Sequence, residues 1–206
     1  MTTDPTSDRT TDPVSPRWTH WRETVDLEEY HARFSRMEAA GQASHGEADF
    51  IEGYRPISVL DAGCGMGRVA IELHHRGIVV VGCDLDDDLL AYARADMPEI
   101  EWHHADLATM KLGRTFDVVA MPGNVMIFCR TEDRGLIVAT LAGHLSAGGL
   151  LIAGFSLDHG AGALTLDDYD DHCAAAGFAL VERYATWERD PYTGGNYAVS
   201  VHQGNR

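Results

Sequence analysis

Between Ile57 and Gly177 the chain alternates short apolar runs with segments of helical period, and that alternation limits its fold more than any other feature. "ISVLDAG", "IVVVGCD", "IEWHHAD", "TFDVVAMPG" and "GGLLIAGFS" read as strands. "RVAIELHHRG", "DDLLAYARAD", "TEDRGLIVATLAGHL" and "TLDDYDDHCAAAG" read as helices. Parallel neighbours need a crossover of about a dozen residues, which a helix supplies, so the pattern predicts a parallel sheet wound on both faces. The valine-rich second run suits a strand buried on both sides, and the less apolar third suits a sheet edge. Gly77 stops the first helix, acids open the second, and Thr165 caps the last. In the third, Ile137, Leu141 and Leu145 fall at four-residue spacing. At the end, "FALVERYAT" and "NYAVSVHQ" are joined by "WERDPYTGG", which is too short for a crossover and makes an antiparallel hairpin. The expected fold class is α/β: a doubly wound, mostly parallel seven-stranded sheet closed by a C-terminal antiparallel hairpin strand.

Three segments are expected. Residues 1–17 are polar, carry three prolines and have no apolar stretch of signal-peptide kind, so they read as a disordered tail. Residues 18–53 are rich in aromatic and helix-forming residues and read as an N-terminal helical cap. Residues 54–206 form the α/β domain. No apolar run is long enough to span a bilayer, so no membrane partner is expected. The formal net charge is -16 and no basic cluster offsets it, which disfavours nucleic acid. Cys64, Cys83, Cys129 and Cys173 form no C-x-x-C pair and sit among apolar neighbours, as reduced thiols of a cytoplasmic protein would.

Where the first strand hands over to the first helix stands "VLDAGCGMG", with Gly63, Gly65 and Gly67 alternating. So much backbone freedom at that point lets a ligand approach the main chain closely. A doubly wound sheet binds ligands outside the carboxyl ends of its strands, near this turn. The dinucleotide fingerprint G-x-G-x-x-G, counted from Gly63, needs glycine where Arg68 stands. The pattern present is instead D-x-G-x-G-x-G, from Asp61 to Gly67.

This turn resembles the first motif of the Rossmann-like, class I methyltransferases that use S-adenosylmethionine. Three more stretches match at the expected strand ends. "VVGCDLD" places Asp84 at the end of strand two, 21 residues after Gly63. "HHADL" places Asp106 after strand three, and "FDVVAMPGNVMIF" resembles the fourth motif. The likeness covers about residues 57–203 and is greatest to small bacterial members with a short helical cap. It implies S-adenosylmethionine as cofactor, with S-adenosylhomocysteine as product, and methyl transfer to a small molecule by direct in-line displacement. It implies a cofactor set of Asp61, Gly63, Cys64, Gly65, Gly67, Arg68, Asp84, Leu85, Asp106, Leu107, Pro122 and Gly123. In that set Asp84 takes the ribose hydroxyls and Asp106 the adenine amino group, beside the Leu107 backbone.

The acceptor side is less legible. The Asn/Asp-Pro-Pro-Tyr/Phe pattern of amide and base methylation is absent after strand four, where Pro122, Gly123 and Asn124 stand. Asn124 either orients a substrate group or caps the next turn. His159 is a second catalytic candidate, as a general base. Trp18, Tyr30, His31, Phe34, Trp187 and Tyr192 are expected on the substrate side, and Arg189 either meets an anionic group or pairs with an acid. The pairs His74-His75 and His103-His104 each point in two directions, so no metal is expected. A monomer or homodimer is expected. Two other classes remain open: a regulator that binds S-adenosylmethionine without turnover, and a nicotinamide-dependent oxidoreductase.

Overall fold

A computed structural model describes residues 14–39, 45–157 and 163–204. Seven strands form one sheet: β1 (Ser58–Ala62), β2 (Val79–Asp84), β3 (Glu101–His104), β4 (Phe116–Met121), β5 (Leu145–Ser156), β6 (Phe178–Tyr184) and β7 (Tyr197–Gly204). Their order is β3-β2-β1-β4-β5-β7-β6. The first five pair in parallel, and β7 runs antiparallel between β5 and β6. The sequence of strands reverses beside β1, which puts a switch point directly over the glycine turn.

The helices are α1 (Pro16–Thr24), α2 (Leu27–Ala39), α3 (Gly46–Glu52), α4 (Arg68–His75), α5 (Asp87–Asp96), α6 (Val125–Phe128), α7 (Arg134–Ala142) and α8 (Leu166–Ala175). Alternate strand residues face opposite layers, as the period of two requires. Leu60, Val81, Val119 and Leu151 pack with Leu141 of α7 and Tyr169 of α8. Their neighbours Val59, Val80, Val118 and Ile152 pack with Leu73 of α4 and Phe50 of α3. The expected edge strand, β3, is at one edge, and β2 is buried along nearly its whole length.

Three expectations are corrected. The third core helix does not reach Leu145: it begins with a 3-10 turn at Thr131–Asp133, ends at Ala142, and Leu145 opens β5. Leu145 pairs with Phe116 across a bulge, so the β4–β5 ladder takes residues that four-residue spacing assigns to the helix. The tail does not extend to residue 17, because Ser15 is buried and its side chain caps α1 by accepting from Trp18 N. The cap is not one unit. Ala48, Phe50 and Ile51 of α3 are buried against the sheet beside α4, while α1 lies against α6 at the strand carboxyl ends.

Candidate functional site

The turn after β1 is held by the neighbouring strand: the N–H groups of Gly63 and Cys64 both donate to the carbonyl of Cys83, at 2.7 and 3.0 Å. Gly65 and Gly67 have φ of 55° and 83°, a left-handed backbone that side chains disfavour. They serve different ends. A Cβ on Gly67 would lie 2.5 Å from the Trp102 ring, so this glycine lets α4 approach β3. A Cβ on Gly65 would meet no atom within 4 Å. Its bare face opens into a cavity.

Asp84 is buried and fixed from two sides. Its Oδ2 accepts from Gly65 N at 2.7 Å and its Oδ1 from Asp86 N at 2.9 Å. Burial raises its carboxyl above the ordinary value, against the pull of those backbone donors. The N-cap of α5 is Asp86, which accepts from the N–H groups of Asp88 and Leu89, so Asp84 carries no capping role. Asp106 turns the chain after β3, its Oδ1 accepting from Ala108 N at 2.8 Å.

Asp61 is 1% exposed. One oxygen accepts from Ala70 N at 3.1 Å, while Oδ1 has no hydrogen-bond partner among the described residues. Burial pushes its carboxyl up to about 7, with the nearby Arg68 guanidinium opposing. Arg68 itself is clasped by both oxygens of Glu47 from α3, one contact measuring 3.1 Å. Nothing in the sequence singled out Glu47, because the pair joins two elements 21 residues apart.

Two cavities meet at the turn. One, of about 340 Å³, is lined by Asp84, Leu85, Asp106, Leu107 and Ile137 from the sheet side. Trp18 and Trp21 of α1 and Val14 just before it roof the cavity, with Phe128, Cys129, Arg130 and Asp133 at its far wall. Trp18 stacks on Trp21 at 4.8 Å and meets Phe128 edge-on at 5.7 Å, and Trp21 meets Tyr30 at 5.6 Å. Ser15 donates to the Phe128 carbonyl at 2.5 Å, and Arg22 binds Asp86 at 2.8 Å and also Asp88. Burial pushes the Cys129 thiol up to about 12, which makes it a neutral wall group. The other cavity, of about 570 Å³, contains Asp61, Cys64, Arg68 and Pro122 on its wall and runs along α4. Tyr30, Gly63, Gly65, Gly123 and Asn124 line both.

Asn124 has a left-handed backbone, φ 70°, and does not cap α6 with its side chain. Its Oδ1 accepts from Ser156 N at 2.7 Å and its N–H donates to the Gly154 carbonyl at 3.2 Å, so it clamps the carboxyl end of β5. With Oδ1 committed, the amide nitrogen is the group left to face the junction. His31 sits at the second cavity, bound to Asp96 at 2.7 Å and close to the Tyr92 ring.

Two expected substrate-side residues sit elsewhere. Trp187 packs edge-on to Phe50 at 5.2 Å and donates to the Tyr197 hydroxyl, because the hairpin loop folds onto α3. Tyr192 is half-buried in that loop and lines neither cavity. Arg189 lies over the Phe50 and Tyr54 rings at 4.3 and 4.6 Å, and pins the loop to α3. His159 and the side chain of Phe34 fall outside the described residues. Among the described residues no cluster of His, Cys, Asp or Glu is arranged to hold a metal, and no helix is long and apolar enough to cross a membrane.

The geometry fits S-adenosylmethionine. A polar carboxylate at the end of β2 suits a ribose, apolar Leu85, Leu107 and Ile137 suit a flat base, and the open face of Gly65 admits the methionine end. The orphan oxygen of Asp61 suits that end's ammonium.

Residues 59–149 match the protein family described as a methyltransferase domain. A TehB-like S-adenosylmethionine-dependent methyltransferase from Corynebacterium glutamicum is 31% identical, with a TM-score of 0.78, over 87% of this chain and 97% of that one. A dTDP-3-amino-3,4,6-trideoxy-alpha-D-glucopyranose N,N-dimethyltransferase from Streptomyces venezuelae is 33% identical over 108 residues, 51% of this chain and 46% of the relative. The magnesium-protoporphyrin O-methyltransferase of Rhodobacter capsulatus is 35% identical over 88 residues, 40% of this chain and 38% of the relative. The chain thus spans less than half the length of these two curated relatives. On its motifs, its sheet order and its full-length likeness to the corynebacterial protein, the chain belongs to the S-adenosylmethionine-dependent methyltransferases of the class I, Rossmann-like fold.

Proposed function

We propose that this protein moves a methyl group from S-adenosylmethionine to a small-molecule acceptor by direct displacement. The observation that carries the reading is the junction of the two cavities at Tyr30, Gly63, Gly65, Gly123 and Asn124. Three of those five are glycines, so Tyr30 and Asn124 supply the side chains where the cavities meet.

Bound S-adenosylmethionine supplies a methyl group already activated by its sulfonium. The protein's task is placement and exclusion of water. Asp84, Asp106 and Leu107 hold the nucleoside, and Asp61 and the glycine turn hold the methionine end. Trp18 and Trp21 cover the first cavity, and Tyr30 screens the junction. Holding two reactants in line accounts for roughly 7–11 kcal/mol of barrier without any covalent enzyme intermediate. The Asn124 amide donates to the acceptor at the junction and orients its lone pair. The acceptors named for the two curated relatives, a dTDP-linked amino sugar and magnesium protoporphyrin, are both small molecules.

Calorimetric titration with S-adenosylhomocysteine and with NAD tests the cofactor assignment. The first is expected to bind at roughly micromolar concentration and NAD at least tenfold more weakly. Tighter NAD binding overturns the proposal. Product formation on a panel of amines, alcohols, thiols and carboxylates tests turnover; tight binding with no turnover on any of them points to a regulator instead.

A further inference from the structure

Asp61 and Arg68 line the same wall of the second cavity. They are close neighbours: the guanidinium opposes the rise of the Asp61 carboxyl more strongly than the bond from Ala70 N does. Yet Asp61 Oδ1 is fully buried and has no hydrogen-bond partner among the described residues. A buried carboxylate oxygen is costly to leave unpaired, and a guanidinium is its strongest side-chain donor. Two such groups side by side should pair. Here the guanidinium is turned elsewhere. Arg68 Nη1 donates to Glu47 Oε2 at 3.1 Å, and Nη2 donates to Oε1 of the same carboxylate.

Glu47 makes this fork from a fixed base. Its neighbours Ala48, Phe50 and Ile51 are buried in the core. Arg76, just past α4, binds Asp49 and Glu52 of α3 at 2.8 and 2.7 Å and Glu72 of α4 at 2.8 Å. These contacts tie α3 to α4 independently of Glu47. Glu47 also repels Asp61 directly, but that push is weaker than the pull of the guanidinium it holds. The position of Arg68 is therefore the larger of the two effects that Glu47 has on Asp61.

We infer that Glu47 is a positioning residue of the cofactor site: it holds Arg68 back from Asp61 and so keeps a carboxylate oxygen open for the ammonium of S-adenosylmethionine. The inference rests on the methyltransferase reading and on the placement of the methionine end at Asp61. Without Glu47, the guanidinium satisfies Asp61 Oδ1 itself and puts a fixed cation where the ammonium has to lie. Both changes act on the amino-acid end of the cofactor. Neither reaches the nucleoside end, which Asp84, Asp106 and Leu107 hold.

The test compares two ligands by calorimetry at fixed pH and ionic strength. S-adenosylhomocysteine carries the ammonium; 5′-methylthioadenosine has the same nucleoside and thioether without the amino-acid end. Glu47→Gln keeps the size of the side chain and removes its charge. It is expected to weaken S-adenosylhomocysteine about tenfold or more and to leave 5′-methylthioadenosine within about twofold of the parent. Adding Arg68→Met removes the guanidinium as well, so the double variant is expected to bind S-adenosylhomocysteine about threefold or more tighter than Glu47→Gln alone. A residue that merely held α3 in place would give neither result: its loss would weaken both ligands alike, and the second substitution would deepen the damage. The inference is overturned by Glu47→Gln that binds S-adenosylhomocysteine like the parent, by equal losses for the two ligands, or by a double variant no tighter than the single one. Failure of the parent protein to bind either ligand is a separate result, and it removes the methyltransferase reading on which the inference stands.

Discussion

The amide of Gly65 donates to the Asp84 carboxylate at 2.7 Å, so the residue proposed to hold the ribose also braces the glycine turn. The two functions are mechanically joined across β1 and β2. Asp84→Ala removes the ribose acceptor and leaves the N–H groups of Gly65 and Asp86 without their partner. S-adenosylhomocysteine affinity is expected to fall about 30- to 1,000-fold. Stability is expected to fall by about 1–3 kcal/mol as well, which a purely ligand-facing residue would not cause. Calorimetry and urea denaturation read the two effects separately; an unchanged dissociation constant refutes the ribose assignment.

The Gly65 position separates ligand contact from folding. Alanine there carries only the cost of a left-handed backbone, about 1–2 kcal/mol, since no atom lies within 4 Å of its methyl. Gly67→Ala drives a methyl to 2.5 Å from Trp102 and is expected to cost more stability. Gly65→Ala should instead lose at least tenfold in S-adenosylhomocysteine affinity, because its methyl occupies the face left for the cofactor. Thermal melts with and without ligand compare the two variants, and retained affinity in Gly65→Ala shows that the turn is not a cradle.

What the chain made legible follows from distance along it. The mostly parallel sheet, its reversed C-terminal hairpin and the edge position of β3 rest on local signals: runs of one period and the lengths of the connections between them. The contacts that needed coordinates are those between remote elements. Glu47 clasps Arg68 from α3, and Phe128 receives Ser15 from 113 residues away. Position along the chain marks Trp18, in the N-terminal cap, and Trp187, in the loop after β6, alike as substrate-facing. Only the packing separates them, one over the first cavity and the other against Phe50. Leu145 shows the same limit within an element, since a strand ladder overrode its helical spacing.

Asp61 makes stability depend on pH. Its carboxyl is raised from 3.8 to about 7 in the folded protein. The folded state therefore holds a proton that the unfolded state releases near pH 4. The resulting stability is present below that point, declines as pH rises toward about 7 and is absent above it. Asp61→Asn keeps the shape without the charge, so it is expected to be more stable than the parent at pH 8 by about 1–3 kcal/mol and equal to it near pH 4. It should also weaken S-adenosylhomocysteine, whose ammonium loses its carboxylate partner. Denaturation midpoints at the two pH values check the sign; a variant less stable than the parent at pH 8 contradicts it.

The link from α1 to the first turn of α5 is expected to govern how long the cofactor stays. Arg22 bridges Asp86, which caps α5, and Asp88, while Trp18 and Trp21 lie over the cavity beneath. α1 is also fixed by the Ser15 bond to Phe128 and by the stacked rings. Partly exposed ion pairs of this kind contribute about 0.2–1 kcal/mol and weaken with salt. Arg22→Ala is therefore expected to raise the S-adenosylhomocysteine dissociation rate about two- to fivefold at low salt, with little effect on the melting temperature. At 1 M salt the parent protein should release the ligand nearly as fast as the variant, because screening has already loosened the same contact. Trp21→Ala removes roof area instead of charge, so its faster release should persist at every salt concentration. Stopped-flow displacement across a salt series distinguishes the two. Release rates in Arg22→Ala that match the parent at low salt would show that α1 does not roof the bound cofactor, and would leave the Trp18–Trp21 stack as packing for α6 alone.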